Sequence, residues 1–85
     1  MNYVVYIIRS HKTGKRYIGY TQDIEKRLKY HNTGKNRSTR NGKPWMLIYK
    51  EEYKSKTVAL KREKEIKSYK SGNSLNHLLK QAGIV

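Results

Sequence analysis

Residues 3–8 read Tyr-Val-Val-Tyr-Ile-Ile, apolar or aromatic at every position. Such a run has no polar face, so as a strand it must be covered on both sides, in the centre of a sheet. Arg9 closes it, and a short polar loop, Ser10–Lys15, follows with Gly14 available for a positive φ. Arg16–Thr21, RYIGYT, reads as a second strand, antiparallel to the first because so short a connection leaves no room for a crossover. Each strand carries a tyrosine, Tyr6 and Tyr17, that a plain core would not need. A phenol in a buried strand wants a partner for its hydroxyl or a chemical task.

The rest of the chain supplies the covering layers. Thr21 is the predicted N-cap of a helix over residues 22–33, with Asp23 and Glu25 in the first turn, where the helix dipole favours acids. Gly34 is a suitable residue to end it. Ile24 and Leu28, four apart, face the core, with Arg27 and His31 bordering that stripe. Residues 34–44, GKNRSTRNGKP, form a basic, glycine-punctuated loop with no periodicity. WMLIYKEEY, residues 45–53, is a third strand entered through Pro44. A second helix starts at Ser55 or Lys56 and runs to about Tyr69, KSGN interrupts it, and SLNHLLKQAG is an amphipathic third helix with Leu75, Leu78 and Leu79 inward. The expected fold class is therefore α+β, a three-stranded antiparallel β-sheet flanked by helices in the order β-β-α-β-α-α, with residues 1–85 as one domain.

Charge narrows the partner. Lys and Arg number 20 against 6 Asp and Glu, a net charge of +14. Nucleic acid is the matching polyanion, because neutralising its phosphates releases condensed counterions. A merely solubilising surface and attraction to anionic lipid are the alternatives. The absence of cysteine rules out disulfides, thiolate metal sites and a thiol nucleophile. No signal peptide or transmembrane stretch is expected, which makes a soluble cytoplasmic protein without a membrane partner the default.

One acid is out of place. On the second helix, with Ala59 at zero, Leu60 falls at about 100°, Ile66 at about 340°, Glu63 at about 40° and Glu65 at about 240°. Glu63 thus points with the apolar residues, while Glu65 faces solvent. A buried carboxylate costs several kcal/mol unless paired or bound to a metal. Either an ion pair with an overlying lysine or arginine or a metal satisfies it. Tyr6, Tyr17, Arg27, His31 and Glu63 all occupy inward or bordering positions on different elements. Together they offer a metal-binding carboxylate, a phosphate-binding guanidinium and proton-handling groups, the parts needed to attack a phosphodiester.

The tripeptides Val4–Tyr6 (VVY) and Tyr17–Gly19 (YIG), with ten residues between their tyrosines, resemble the two signature tripeptides of the GIY-YIG endonuclease family. The order continues with Arg27, His31, the basic loop, the LIY strand and ALKRE ending in Glu63, so the resemblance runs from Tyr3 to about Leu79. It implies a small stand-alone nuclease domain of GIY-YIG-type fold, hydrolysing DNA with one Mg²⁺ or Mn²⁺ held by Glu63. It also implies that Tyr6 holds the attacking water in line and that Tyr17 is the general base or a partner in activating water. Arg27 would bind the scissile phosphate and His31 would assist proton transfer. A late site asparagine is implied too, Asn73 by preference over Asn76. Lys15, Arg16, Lys35, Arg37, Arg40 and Lys43 are the expected nucleic-acid contacts. The first tripeptide departs from the family at Val4 and Val5, where the strand needs only small or β-branched residues. The resemblance shows no accessory DNA-binding domain, leaving specificity to substrate shape, a partner protein or self-association, or leaving none. DNA repair, recombination and mobile-element roles are all compatible with such a module.

Blander readings stand beside these. Tyr6 and Tyr17 can be hairpin aromatics, His31 a helix-end histidine favoured by the dipole, Arg27 one base among many, and residues 35–43 a solvated loop. A non-catalytic nucleic-acid-binding module is the principal alternative function, and a basic adaptor for an acidic protein a third. The charge itself predicts that DNA affinity falls steeply with added salt in a titration; a shallow dependence would contradict a phosphate-binding surface.

Overall fold

The long apolar run at the N-terminus does become the middle of the sheet. A computed structural model of the chain describes residues 2–69 and 73–83. Its elements are β1 (Tyr3–Ser10), β2 (Arg16–Thr21), α1 (Ile24–Asn32), β3 (Trp45–Tyr53), α2 (Lys56–Tyr69) and α3 (Asn73–Gln81), with one 3₁₀ turn at Arg40–Gly42. The sheet is antiparallel throughout in the order β2-β1-β3. The expected α+β order and three-stranded sheet are both present. The KSGN break falls mostly on residues 70–72, outside the described residues.

Each face of β1 has its own core. Val5 and Ile7 point to one side, where Ile18 of β2 joins Ala59 and Ile66 of α2 and Leu75 and Leu79 of α3. Val4, Tyr6 and Ile8 point to the other, against Trp45, with Ile24 and Leu28 of α1, Tyr17 and Leu47 packed around them. Burying one such aliphatic side chain contributes about 1.5–3 kcal/mol, so a strand buried on both faces anchors both layers. A bulge between Ile7 and Ile8 shifts the pairing with β3 by one residue. Gly14 takes the left-handed conformation in the β1–β2 loop (φ 76°), and Gly34 does so after α1 (φ 82°).

Three local expectations are corrected. The N-cap of α1 is Asp23, whose carboxylate accepts from the Lys26 amide, and the helix starts at Ile24. Thr21 instead accepts from the Asp23 amide through its hydroxyl, closing the turn before the helix. Leu60 is exposed, because the strip of α2 facing the sheet is only as wide as Ala59 and Ile66. The basic loop is not structureless: its 3₁₀ turn is pinned where the buried Ser10 hydroxyl donates to the Gly42 carbonyl.

On the α2 side of β3, Glu51 gathers a polar knot. Arg62 of α2 donates to both its carboxylate oxygens, at 2.8 and 3.0 Å, and the Tyr49 and Tyr53 hydroxyls donate as well. Burial opposes ionisation of Glu51, but the Arg62 guanidinium and the two phenols outweigh it and hold the carboxyl down to about 2. A folded value below the ordinary one means this stabilisation is complete at neutral pH and is lost as pH falls from about 4.5 toward 2. Glu51→Gln should therefore cost about 1.5–3 kcal/mol at pH 7 by thermal or denaturant unfolding. The gap to the parent should close on acidification through that window. A gap unchanged at low pH would contradict the assignment.

Candidate active site

Tyr6 and Gly19 are cross-strand neighbours in the β1–β2 pair. The Tyr6 ring passes directly over that glycine. A Cβ placed on Gly19 would lie 2.6 Å from the Tyr6 hydroxyl and 2.8 Å from its ring carbon Cζ. A glycine inside a strand weakens it and marks a close approach, and here the object approaching is the phenol itself. Crossing Gly19 carries the Tyr6 hydroxyl to Nε2 of His31, 2.8 Å away.

His31 sits in the last turn of α1 and is fully buried, as is Thr39 from the basic loop. The imidazole Nδ1 and the Thr39 hydroxyl are 2.9 Å apart. With Nδ1 protonated the ring donates to Thr39 and accepts from Tyr6 at Nε2; with Nε2 protonated both bonds reverse. Thr39 is held in turn by Trp45, whose indole N–H donates to the Thr39 carbonyl at 2.6 Å. Asn32 of α1 bonds both the amide and the carbonyl of Trp45. Tyr17 closes the wall, presenting its ring edge-on to His31 at 5.0 Å and to Trp45 at 6.4 Å. His31 is thus neither a surface residue at a helix end nor a border residue, and its two ring nitrogens are both engaged in the interior.

Burial, more than the surrounding charges, keeps this pair neutral. Burial first, then the neighbouring Tyr17, and at smaller weight Glu63, push the Tyr6 phenol above its ordinary value against the opposing pull of Arg27. Burial and the same Arg27 push His31 below its ordinary value. Arg27 lies one turn before His31 on α1, with its guanidinium 5.6 Å from the centre of the Tyr30 ring. Arg27 and Glu63 are therefore both near enough for their charges to act on Tyr6, although they come from opposite sides of the sheet.

The use made of each acid singles out Glu63. Asp23 caps α1, and Glu25 lies in its first turn. Glu51 holds Arg62, Glu52 pairs with Lys50, and Glu65 pairs with Arg62 and accepts from Tyr69. Glu63 is mostly buried, and its ion-pair partner is Lys67 one turn on, at 3.0 Å, a lysine whose side chain is 53% exposed. That contact satisfies the sequence-level expectation of an ion pair, yet an exposed lysine is readily exchanged for another cation. Among the described residues no three His, Asp or Glu side chains converge. A cation held here would have one protein carboxylate, and Mg²⁺ accepts such a set when waters and phosphate oxygens complete the shell. The donor chemistry fits the implied ion.

The remaining candidates are distributed around this centre. Arg16, beside Tyr17, donates to the Asn76 side chain at 2.9 Å, so Asn76 reaches the β2 side of the sheet. Asn73 lies elsewhere, in a groove with Arg62, Tyr69 and His77, and is not brought to the other site residues. Lys15, Lys35, Arg37, Arg40 and Lys43 are exposed. Thr39 and Trp45 had no place in the sequence reading of the site. The glycine within the YIG strand was the signal available there for the close approach of Tyr6.

Known proteins resemble this chain in sequence and in fold. Residues 2–76 match the family model described as the GIY-YIG catalytic domain. A UPF0213 protein of Staphylococcus saprophyticus is 44% identical over 66 residues, spanning 76% of this chain and 79% of that protein. A UPF0213 protein of Staphylococcus aureus is 41% identical over 69 residues, with 80% and 83% covered. The solution NMR structure of a UPF0213 protein from Bacillus halodurans superposes with a TM-score of 0.61 at 35% identity, over 95% of this chain and 85% of that one. The chain belongs to the GIY-YIG family, a family of nucleases.

Proposed function

We propose that the protein is a DNA endonuclease that depends on Mg²⁺ or Mn²⁺ and hydrolyses phosphodiester bonds at the Tyr6–His31 pair. The observation that carries this reading is the buried hydrogen-bonded chain Tyr6–His31–Thr39, set within the fields of one guanidinium and one carboxylate. Arg27 binds the scissile phosphate, its planar fork matching two phosphate oxygens. Glu63 is the carboxylate that holds the divalent ion, which when bound supplies Lewis-acid stabilisation of phosphate charge. As water attacks phosphorus and the bond from phosphorus to the leaving sugar oxygen breaks, the water's proton passes to the Tyr6 oxygen, the Tyr6 proton passes to Nε2 of His31, and the leaving oxygen takes a proton from solvent. The Tyr6 oxygen becomes basic only as its own proton leaves for Nε2, so the concerted shift avoids a free phenoxide. This assigns the proton-accepting role to Tyr6 rather than Tyr17, because it is Tyr6 whose hydroxyl has a base within hydrogen-bond reach. Tyr17 packs the imidazole in place. Asn76, through Arg16, is a better supported late asparagine than Asn73.

A basic module that binds nucleic acid without cutting it is the competing reading. Glu63 speaks against it, since a carboxylate facing the phosphate repels the backbone and serves pure binding poorly. A nicking assay over linear and branched DNAs with Mg²⁺ and Mn²⁺ separates the two. Glu63→Ala should abolish nicking while DNA binding persists or tightens, and unchanged cleavage would refute the mechanism. Arg27→Ala should lower turnover more than ground-state affinity; equal losses would make it a generic phosphate contact.

Thr39 acts as a positioning residue through His31. Thr39→Val, close in shape, should lower kcat about tenfold or more with little change in KM, and should displace the acid limb of the pH–rate profile. Thr39→Ser should restore both. Full activity with an unmoved profile in Thr39→Val would remove Thr39 from the proton chain.

A further inference from the structure

A groove of about 720 Å³ opens between the start of β1, the end of β2, the length of α1 with the residues just after it, and the start of α2. Three tyrosines line it, Tyr3, Tyr20 and Tyr30, together with Arg27, Lys35 and Lys56. Its one acid, Asp23, is already engaged as the cap of α1. Tyr3 and Tyr20 are half-buried and packed against the α2-side core, which fixes their rings, while Tyr30 is 38% exposed.

We propose that this groove is a subsite for the unpaired bases of single-stranded DNA adjoining the scissile phosphate, so that the substrate class is single-stranded or flapped DNA. The proposal rests on the endonuclease reading of the neighbouring site. Arg27 makes the connection: its charge acts on Tyr6, and its guanidinium lies over the Tyr30 ring inside the groove. A strand whose phosphate is held by Arg27 has its next bases at the tyrosines. The volume lies in the range of sites that enclose small ligands. Aromatic rings recessed between a sheet end and two helices cannot reach the bases of an intact duplex, which are stacked inside it. They can stack on bases that are unpaired, and cations alternating with such rings are how single strands are held. A site for duplex phosphates alone would need the lysines and arginine and no aromatic lining.

Anisotropy titrations in EDTA, with labelled oligothymidylate and a blunt duplex as separate probes, test this without relying on cleavage. Tyr20→Leu and Tyr30→Leu should each weaken oligothymidylate binding about tenfold or more, leave duplex binding within about twofold, and Tyr20→Phe should bind as the parent. Tyr30 is exposed, so its leucine variant tests the groove even where Tyr20→Leu fails to fold, which circular dichroism reports. Oligothymidylate binding unchanged in Tyr30→Leu, or equal losses on both probes, would overturn the proposal. Parallel nicking assays keep the two readings apart. A parent protein that never cuts but shows tyrosine-dependent single-strand binding sinks the nuclease and leaves the groove. Cleavage of duplex unaffected by Tyr30→Leu, with unaltered single-strand binding, sinks the groove and leaves the nuclease.

Discussion

The hydrogen bond between the Tyr6 hydroxyl and His31 is the first link of a buried polar chain that joins three separate parts of the fold. Tyr6 belongs to the central strand, His31 to the end of α1, and Thr39, on the far side of the imidazole, to the basic loop. Both His31 and Thr39 are fully buried, so a polar group left unpaired there costs about 1–3 kcal/mol. The chain of bonds thus specifies one arrangement of strand, helix and loop. Gly19 is a consequence of it: the phenol reaches the imidazole only by lying across a residue with no side chain.

The same constraint links fold to function. Burial and Arg27 keep the imidazole neutral and burial keeps the phenol protonated, so the resting pair carries no charge into the interior. The charged residues sit at its margin, Arg27 on the α1 side and Glu63 on the α2 side. In a chain with 20 bases and 6 acids, the other carboxylates are occupied by the cap and dipole of α1, the Lys50 pair and the Arg62 knot. Glu63 is held by an exposed lysine that another cation can replace. This division of the acids sets Glu63, the carboxylate proposed to hold the ion, apart from those with structural uses.

Much of this was legible in the residues. The unbroken apolar run at Tyr3–Ile8 demands a central strand, the short loop after it demands a hairpin, and Glu63 stands out on any helical wheel. The burial of His31 was less visible, although it lies seven residues after Ile24 and three after Leu28, on one helical stripe. A histidine on such a stripe reads as a border residue until a partner for each nitrogen is known, and Thr39 comes from a loop without periodicity. Leu60 misled for the opposite reason: an apolar residue near a stripe is buried only if the opposing layer is wide enough to cover it. The choice between Asn73 and Asn76 depends on how α3 docks, which spacing along the chain does not encode.

The neutrality of the buried pair at rest is the claim on which the proton path depends, and nitrogen NMR of the His31 imidazole reads it directly. A neutral ring persisting below the ordinary histidine pKa of about 6.5, with an Nε2 shift that moves in Tyr6→Phe, is the predicted result. A ring that titrates near about 6.5, with an Nε2 shift indifferent to Tyr6→Phe, would contradict it.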